Sequence, residues 1–218
     1  MKKIKAAVFD LDGTLLDSMH IWNEIDCAFL TRRGIAVPAD YMLEVAHLGS
    51  YQTAIYTKNR FGLPESPDEM IAEWLEMAIR FYSEEVTLKA GAYAYLTKLN
   101  ENGIKLAVAT ANSPDLYLPA LKKTNTLRLF RAVVNIDEVE RSKGFPDIYR
   151  LACERLGVSE AETAVFEDIY LGVKGAKDGG FYTVGVYDKT SAADEAKIRA
   201  LADRYVRDFT ELLQGEMF

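Results

Sequence analysis

Two aspartates separated by one residue follow the first apolar segment of the chain. Asp10 and Asp12 stand directly after residues 4–9, which are short and mostly apolar, like a buried strand. Alternate residues at the end of a strand point to the same side, so both carboxylates can contact the same ligand. Neighbouring carboxylates repel unless they share a proton or a cation, and Mg²⁺ takes oxygen ligands. The spacing therefore predicts a magnesium site, with an ordinary acidic turn as the alternative.

Three more polar groups follow later apolar segments. They are Thr110 with Ala111 and Asn112 after residues 105–109, Lys143 after residues 132–136, and Glu167 with Asp168 after residues 164–166. Ligands of open α/β sheets bind at the carboxyl ends of the strands, so we expect these groups to meet. Hydroxyl, amide and backbone N–H groups beside a helix start can hold phosphate oxygens. Each group alone could instead be a helix cap or a solvated charge.

The elements that must position these residues are strands that alternate with helices. Apolar segments at 4–9, 105–109, 132–136, 164–166 and 182–186 read as strands, and residues 146–156 and 171–178 as helices. This alternation predicts an α/β fold, with a Rossmann-like, doubly wound parallel sheet as its core.

The segment between the first two predicted strands is too long for a simple crossover. Within it, residues 21–29 and 71–82 place apolar side chains, Leu75 among them, on one helical face each. We therefore predict a small α-helical cap domain over residues 17–87, inserted into a discontinuous core formed by residues 1–16 and 88–218.

Composition restricts the class of partner. The chain has 218 residues with 26 Lys and Arg against 33 Asp and Glu, a net charge of −7. This balance disfavours nucleic-acid and membrane-surface partners, which require a basic face, and no segment approaches the ~20 apolar residues of a membrane span. Cys27 and Cys153 are too few and too distant for a disulfide framework or a zinc site. We expect a cytoplasmic protein.

The motifs resemble those of the haloacid dehalogenase-like hydrolase superfamily, in its branch of β-phosphoglucomutase-like phosphatases with a helical cap. Four stretches match the family motifs: residues 10–15 the D-x-D-G-T-L motif, Thr110 the second motif, Lys143 with residues 144–147 the K-P-x-P-D motif, and Glu167-Asp168 the fourth. Two positions depart from the pattern, because Gly144 replaces the first Pro and Ile169 follows Glu-Asp where Ser or Asn is common.

The resemblance implies a role for each matching residue. Asp10 would be the nucleophile that forms an aspartyl-phosphate, and Asp12 the general acid and then base. Mg²⁺ would be held by Asp10, the backbone carbonyl of Asp12, and Asp168, with Glu167 nearby. The phosphate oxygens would be held by Thr110, Ala111, Asn112 and Lys143. The implied function is a Mg²⁺-dependent phosphatase acting on a small phosphate monoester, such as a sugar phosphate.

The resemblance also leaves alternatives. Mutases of this branch carry a cap His twelve residues after the nucleophile and a cap Arg for a distal phosphate. Here that position is Trp22, and residues 47–56 contain no Arg. A phosphatase is therefore favoured over a sugar phosphate mutase. A non-catalytic metabolite-binding regulator is the third hypothesis.

Substrate contacts are expected from the cap, at Ser18, Trp22, His47 and Tyr51. Trp22 could instead belong to the core of the cap, and His47 could be a surface residue. We expect a monomer, with a dimer as the alternative.

Overall fold

The computed structural model of the chain, which describes residues 4–45, 48 and 50–214, places the first apolar segment at the centre of a parallel sheet. The strands are β1 (Ala6–Phe9), β2 (Leu16–Asp17), β3 (Thr87–Leu88), β4 (Lys105–Thr110), β5 (Ala132–Asn135), β6 (Thr163–Glu167), β7 (Tyr182–Val186) and β8 (Arg204–Val206). Six of them form the sheet in the order β5-β4-β1-β6-β7-β8, and β2 pairs with β3 in a separate antiparallel ribbon.

The order of the strands explains where a site can form. From β1 the chain proceeds to β4 and β5 on one side, and then to β6, β7 and β8 on the other. β1 is hydrogen-bonded to β4 and β6 in parallel, and its four residues are fully buried, as expected for a strand covered on both faces. The carboxyl ends of β1, β4 and β6 thus lie at the point where the direction of winding changes, where such sheets bind ligands.

The helices occupy two separate parts of the chain. In chain order they are α1 (Ile21–Arg32), α2 (Tyr41–Val45), α3 (Ser50–Phe61), α4 (Pro67–Glu84), α5 (Ala92–Glu101), α6 (Pro114–Lys123), α7 (Asp147–Leu156), α8 (Tyr170–Asp178) and α9 (Glu195–Leu201). By internal packing the chain divides into a sheet unit, Met1–Met19 with Val86–Phe218, and a helical unit, His20–Glu85, which contains α1 to α4.

The sheet unit has an apolar layer on each face of the sheet. On one face Phe9 stacks on Phe166 with ring centroids 4.4 Å apart, and Phe209 and Tyr95 pack around that pair. On the other face α7 contributes buried side chains to a cluster with β1, β4 and β6. These layers fix the strand ends that carry the polar groups.

In the helical unit, α4 begins at a complete capping box. Ser66 accepts from the backbone N–H of Glu69, and the Glu69 side chain accepts from the backbone N–H of Ser66. The buried stripe of α4 runs through Met70, Trp74, Met77, Ala78 and Tyr82. The assignment of Leu75 to this stripe is wrong, because one residue turns the helix by about 100° and leaves Leu75 40% exposed.

The predicted fold class, a Rossmann-like parallel sheet with helices, is confirmed, and the five predicted strands are present within one or two residues. β8 and the β2–β3 ribbon were not predicted. The boundaries 17–87 and the role of that segment as a cap stay predictions. Within the described part of the chain, every helix is too short or too polar to cross a membrane. The cytoplasmic location and the monomeric state also stay predictions.

Candidate active site

Three carboxylates converge at the carboxyl ends of β1 and β6. Asp10 follows β1, Glu167 ends β6, and Asp168 comes next along the chain. The backbone N–H of Asp10 donates to the carbonyl of Phe166 at 3.0 Å, which extends the β1–β6 register to the site. One oxygen from each of the three carboxylates lies within 4.8 Å of the others, and all three residues are buried.

Lys143 supplies positive charge to this cluster. Its Nζ donates to Oδ1 of Asp10 and, at 2.8 Å, to Oε1 of Glu167. Burial alone would lower the pKa of Lys143, but the two carboxylates raise it above its ordinary value, so the ammonium stays charged. Burial, with the charge of Asp10, raises the pKa of Glu167 and of Asp168. The ionised forms of Glu167 and Asp168 are therefore unfavourable unless a further cation balances them.

The donor set fits a divalent cation. The three carboxylates are oxygen donors, and the described residues bring one ammonium, that of Lys143, into contact with them. Oε2 of Glu167 is buried and has no hydrogen-bond partner among the described residues. A buried carboxylate oxygen without a partner costs free energy, which a cation or its bound water would recover. Asp10 and Asp168 would hold Mg²⁺, with Glu167 beside it.

Two glycines make room for these carboxylates. Gly13 has φ of +82°, and a Cβ there would collide with the carboxylate of Asp168. Gly172 lies in α8, and a Cβ there would collide with the carboxylate of Glu167. Thr14, next to Gly13, donates to Oδ1 of Asp168 at 3.1 Å. The glycine and threonine of the first motif therefore shape the site of the fourth.

Two neutral side chains donate hydrogen bonds to Asp12. Ser18 Oγ donates to Oδ1 of Asp12 at 2.7 Å, and Asn112 Nδ2 donates to Oδ2 at 2.8 Å. Ser18, expected to contact substrate from the cap, belongs to the sheet unit and contacts Asp12. The structure thus brings Asp12 together with Asn112, which follows β4.

The loop after β4 is folded around its own polar groups. Thr110 is buried, and its Oγ1 accepts from the backbone N–H of Asn112 at 3.0 Å. Asn112 Oδ1 accepts from the backbone N–H of Ser113, and Asn135 Nδ2 donates to the carbonyl of Asn112. Ala111, between the two polar residues, is exposed. Directly after Ser113 the helix α6 begins at Pro114, so the loop lies at a helix N-terminus.

Sequence reasoning missed three side chains that contact these carboxylates or their loop. The hydroxyl of Tyr149 donates to Oε1 of Glu167 at 2.8 Å, Ser191 Oγ donates to Oδ2 of Asp168 at 3.3 Å, and Asn135 supports Asn112. Tyr149 lies on the predicted helix over residues 146–156, which follows Lys143, and this placement was the available signal. Ser191 lies in a short 3-10 helix, Lys189–Asp194, which carries no such pattern.

The residues expected in the cap have different positions. Trp22 lies on α1 and is 43% exposed, so it is not part of the core of the helical unit. Tyr51 lies on α3 and is 49% exposed. His47 lies outside the described residues. Contacts of Trp22, His47 and Tyr51 with substrate stay predictions.

The chain combines a Rossmann-like sheet with a buried carboxylate cluster at its winding change, and a lysine lies between two of the carboxylates, an arrangement compatible with a hydrolase. Residues 4–180 match the family model for the haloacid dehalogenase-like hydrolases. The chain belongs to this family, and the predicted enzyme class, a phosphoric monoester hydrolase, is confirmed by its phosphatase relatives.

Individual relatives cover nearly the whole chain. Validoxylamine A 7'-phosphate phosphatase of Streptomyces hygroscopicus subsp. limoneus is 31% identical over 209 residues, 95% of each protein. Hexitol phosphatase A of Escherichia coli (strain K12) is 31% identical over 186 residues, 84% of this chain and 83% of the relative. A crystal structure from Thermotoga maritima, of a candidate β-phosphoglucomutase, is 26% identical with a TM-score of 0.85, and covers 93% of this chain and 94% of that one.

Proposed function

We propose that the chain is a Mg²⁺-dependent phosphatase that hydrolyses a small phosphate monoester, such as a sugar phosphate, through an aspartyl-phosphate on Asp10. The observation that carries the proposal is the buried cluster of Asp10, Glu167 and Asp168 with Lys143 between the first two. The relatives named as phosphatases of validoxylamine A 7'-phosphate and of hexitols support a phosphorylated small metabolite as the substrate.

Asp10 is the nucleophile in this proposal. Lys143 orients its carboxylate and offsets its charge, so that a carboxylate oxygen can form a bond to phosphorus while the bond from phosphorus to the ester oxygen breaks. A bound Mg²⁺ would keep the carboxyls of the cluster ionised and balance their negative charge, which would otherwise repel a phosphate dianion.

Asp12 moves the protons. It gives a proton to the departing alkoxide and later takes one from the water that attacks the aspartyl-phosphate, so that the ester and water become an alcohol and phosphate. Ser18 and Asn112 donate to its two oxygens, which orients the carboxyl group for proton transfer.

The loop after β4 would bind the transferred phosphoryl group. Thr110, Ala111 and Asn112 lie just before the start of α6, where N–H groups and the helix dipole favour an anion. Lys143 would contact another phosphoryl oxygen and balance charge that develops there.

The test is phosphate release from p-nitrophenyl phosphate with Mg²⁺ and after EDTA treatment. We expect activity that requires the metal, and a loss of about 10³-fold or more in the isosteric Asp10→Asn variant. The folded state of each protein is checked by circular dichroism. An inactive wild type, or unchanged activity in Asp10→Asn, contradicts the proposal and favours the metabolite-binding regulator.

A sugar phosphate mutase is the second candidate, favoured by the Thermotoga maritima structure. Trp22 occupies the position where such mutases carry a histidine, which weighs against it. Stoichiometric conversion of a sugar 1-phosphate to its 6-phosphate without release of phosphate would decide for the mutase.

A further inference from the structure

The two carboxylate oxygens of Glu167 have different surroundings. Oε1 accepts two hydrogen bonds at 2.8 Å, from Nζ of Lys143 and from the hydroxyl of Tyr149. Oε2 is buried and has no partner among the described residues. Both donors thus converge on the same oxygen, although sharing them between the two oxygens would satisfy each one. The conformation keeps one buried oxygen available.

Lys143 alone does not account for this orientation. Its ammonium is shared with Asp10, so its direction is set by two carboxylates. Tyr149 approaches Glu167 from α7, and its ring is buried against Phe181 with centroids 6.0 Å apart. The same hydroxyl lies 3.3 Å from the carbonyl of Gly172, in α8. A buried ring anchored in this way holds its hydroxyl at a fixed place.

Gly172 limits the movement of Glu167 from the other side. Its Cα faces the carboxylate so closely that an added Cβ would collide with both oxygens of Glu167. The carboxylate is therefore confined between the hydroxyl of Tyr149, the ammonium of Lys143 and the backbone of α8. Confinement of this kind fixes the orientation of the carboxylate and leaves Oε2 without a protein donor.

We propose that Tyr149 is a positioning residue that presents Oε2 of Glu167 to the divalent cation or to a water bound to it. This inference rests on the metal site of the proposed function. Residues that orient a ligand through a hydrogen bond commonly change metal affinity by about 10- to 100-fold when they are removed. The hydroxyl of Tyr149, although it reacts with nothing, would therefore determine how tightly the cation is held.

The experiment measures Mn²⁺ binding, by the electron paramagnetic resonance signal of free Mn²⁺, in wild type and in Tyr149→Phe. Phe removes the hydroxyl and keeps the ring that packs on Phe181. We expect the Kd for Mn²⁺ to rise about 10-fold or more. Tyr41→Phe is the matched control, because Tyr41 is fully buried in the helical unit and its hydroxyl bonds to Thr57 at 2.7 Å. Its Kd should equal that of wild type.

A double variant separates positioning from a structural effect. In the background of Glu167→Gln, adding Tyr149→Phe should not weaken Mn²⁺ binding further, because the residue through which Tyr149 acts is already altered. Thermal unfolding in EDTA establishes that each variant is folded. An additive loss in the double variant, or an unfolded Tyr149→Phe beside a folded Tyr41→Phe, assigns Tyr149 a structural role and overturns the inference.

Failure of the inference is distinct from failure of the metal site. If wild type binds Mn²⁺ and folded Tyr149→Phe binds it equally well, the positioning role is wrong and the metal site stands. If wild type binds no Mn²⁺, the metal requirement of the proposed function is contradicted, and the positioning role is overturned with it.

Discussion

The aspartates two residues apart are held by donors of different charge. Asp10 contacts the ammonium of Lys143, whereas Asp12 accepts from the hydroxyl of Ser18 and the amide of Asn112. A charged donor stabilises a carboxylate that must act as an anion, and neutral donors orient one that must give and take a proton. The contacts of each residue therefore match the role proposed for it.

This difference predicts that formation of the aspartyl-phosphate can be separated from its hydrolysis. Asp12→Asn keeps the shape of the side chain and removes the acid and base. Nitrophenolate is stable enough to depart without a proton, so the variant should release a burst of about one nitrophenolate per active site and then stall as the phospho-enzyme. Steady-state turnover should fall about 10²- to 10⁴-fold. Rapid mixing with p-nitrophenyl phosphate measures both quantities.

The control for the burst is a phosphate ester of a simple alcohol. Its alkoxide needs a proton to depart, so Asp12→Asn should show no burst with that substrate. Equal bursts from both substrates, or none from either, would contradict the assignment of Asp12 as the general acid.

At the scale of single residues, the sequence predicts the reacting side chains better than the supporting residues that hydrogen-bond to them. Asp10, Glu167 and Asp168 lie at strand ends whose positions follow from apolar patterning, and Lys143, in the loop between β5 and α7, follows from motif spacing. The contact of Ser18 with Asp12 depends on the path of the chain after β1, and no periodicity encodes that path. Supports of this kind depend on tertiary packing, which local pattern does not contain.

At the scale of elements, the close packing of α8 against the end of β6 shapes the site. α8 begins at Tyr170, two residues after Asp168, and its third residue is Gly172. A helix that starts so soon after a strand brings its first turn against the strand's last side chains. Only a residue without a Cβ fits there, because the carboxylate of Glu167 occupies that space.

Gly172→Ala should therefore destabilise the protein, although Ala favours helix by about 1 kcal/mol over Gly. The collision with Glu167 should cost about 1–3 kcal/mol of the free energy of unfolding and outweigh that gain. Displacement of the carboxylate should also weaken Mn²⁺ binding about 10-fold. Urea unfolding in EDTA and Mn²⁺ titration measure the two effects.

Gly144→Ala is the comparison variant. A Cβ at Gly144 would meet nothing nearer than Ser142 Oγ at 3.7 Å, so we expect little change in stability or in metal binding. A Gly172→Ala protein as stable as wild type, with unchanged Mn²⁺ affinity, would show that Glu167 can move away freely.

The predicted elements are those with enough residues to form a pattern. The five apolar segments were recognisable because the sheet covers both of their faces. β8 has three residues, of which Val206 is buried, and it lies at the edge of the sheet. The β2–β3 ribbon pairs Leu16–Asp17 with Thr87–Leu88, two residues on each side and about seventy residues apart along the chain. Such short, distant pairs leave no local signature.

At the scale of the whole molecule, the β2–β3 ribbon pairs the segment where the chain leaves the sheet unit with the segment where it returns. The chain leaves the sheet unit after Met19 and returns at Val86. Directly after the ribbon, Lys89 forms a buried ion pair with Asp188 at 2.8 Å and donates to the carbonyl of Tyr187. The return of the chain is thus fixed within the sheet unit, which also contains the complete carboxylate cluster.

The sheet unit should therefore fold and react without residues 20–85. Asp17 and Thr87 are paired, so their Cα atoms are about 5 Å apart and a Gly-Ser-Gly linker can replace the helical unit. We expect cooperative thermal unfolding and Mg²⁺-dependent hydrolysis of p-nitrophenyl phosphate, slower by about 10²-fold because substrate is less well positioned. Preference among phosphorylated metabolites, which we assign to the helical unit, should largely disappear.

Asp10→Asn in the shortened chain is the control, and it should be inactive. A shortened chain that is folded and binds Mn²⁺ but releases no nitrophenolate would place an essential catalytic group in the helical unit, against the assignment of the chemistry to the sheet unit.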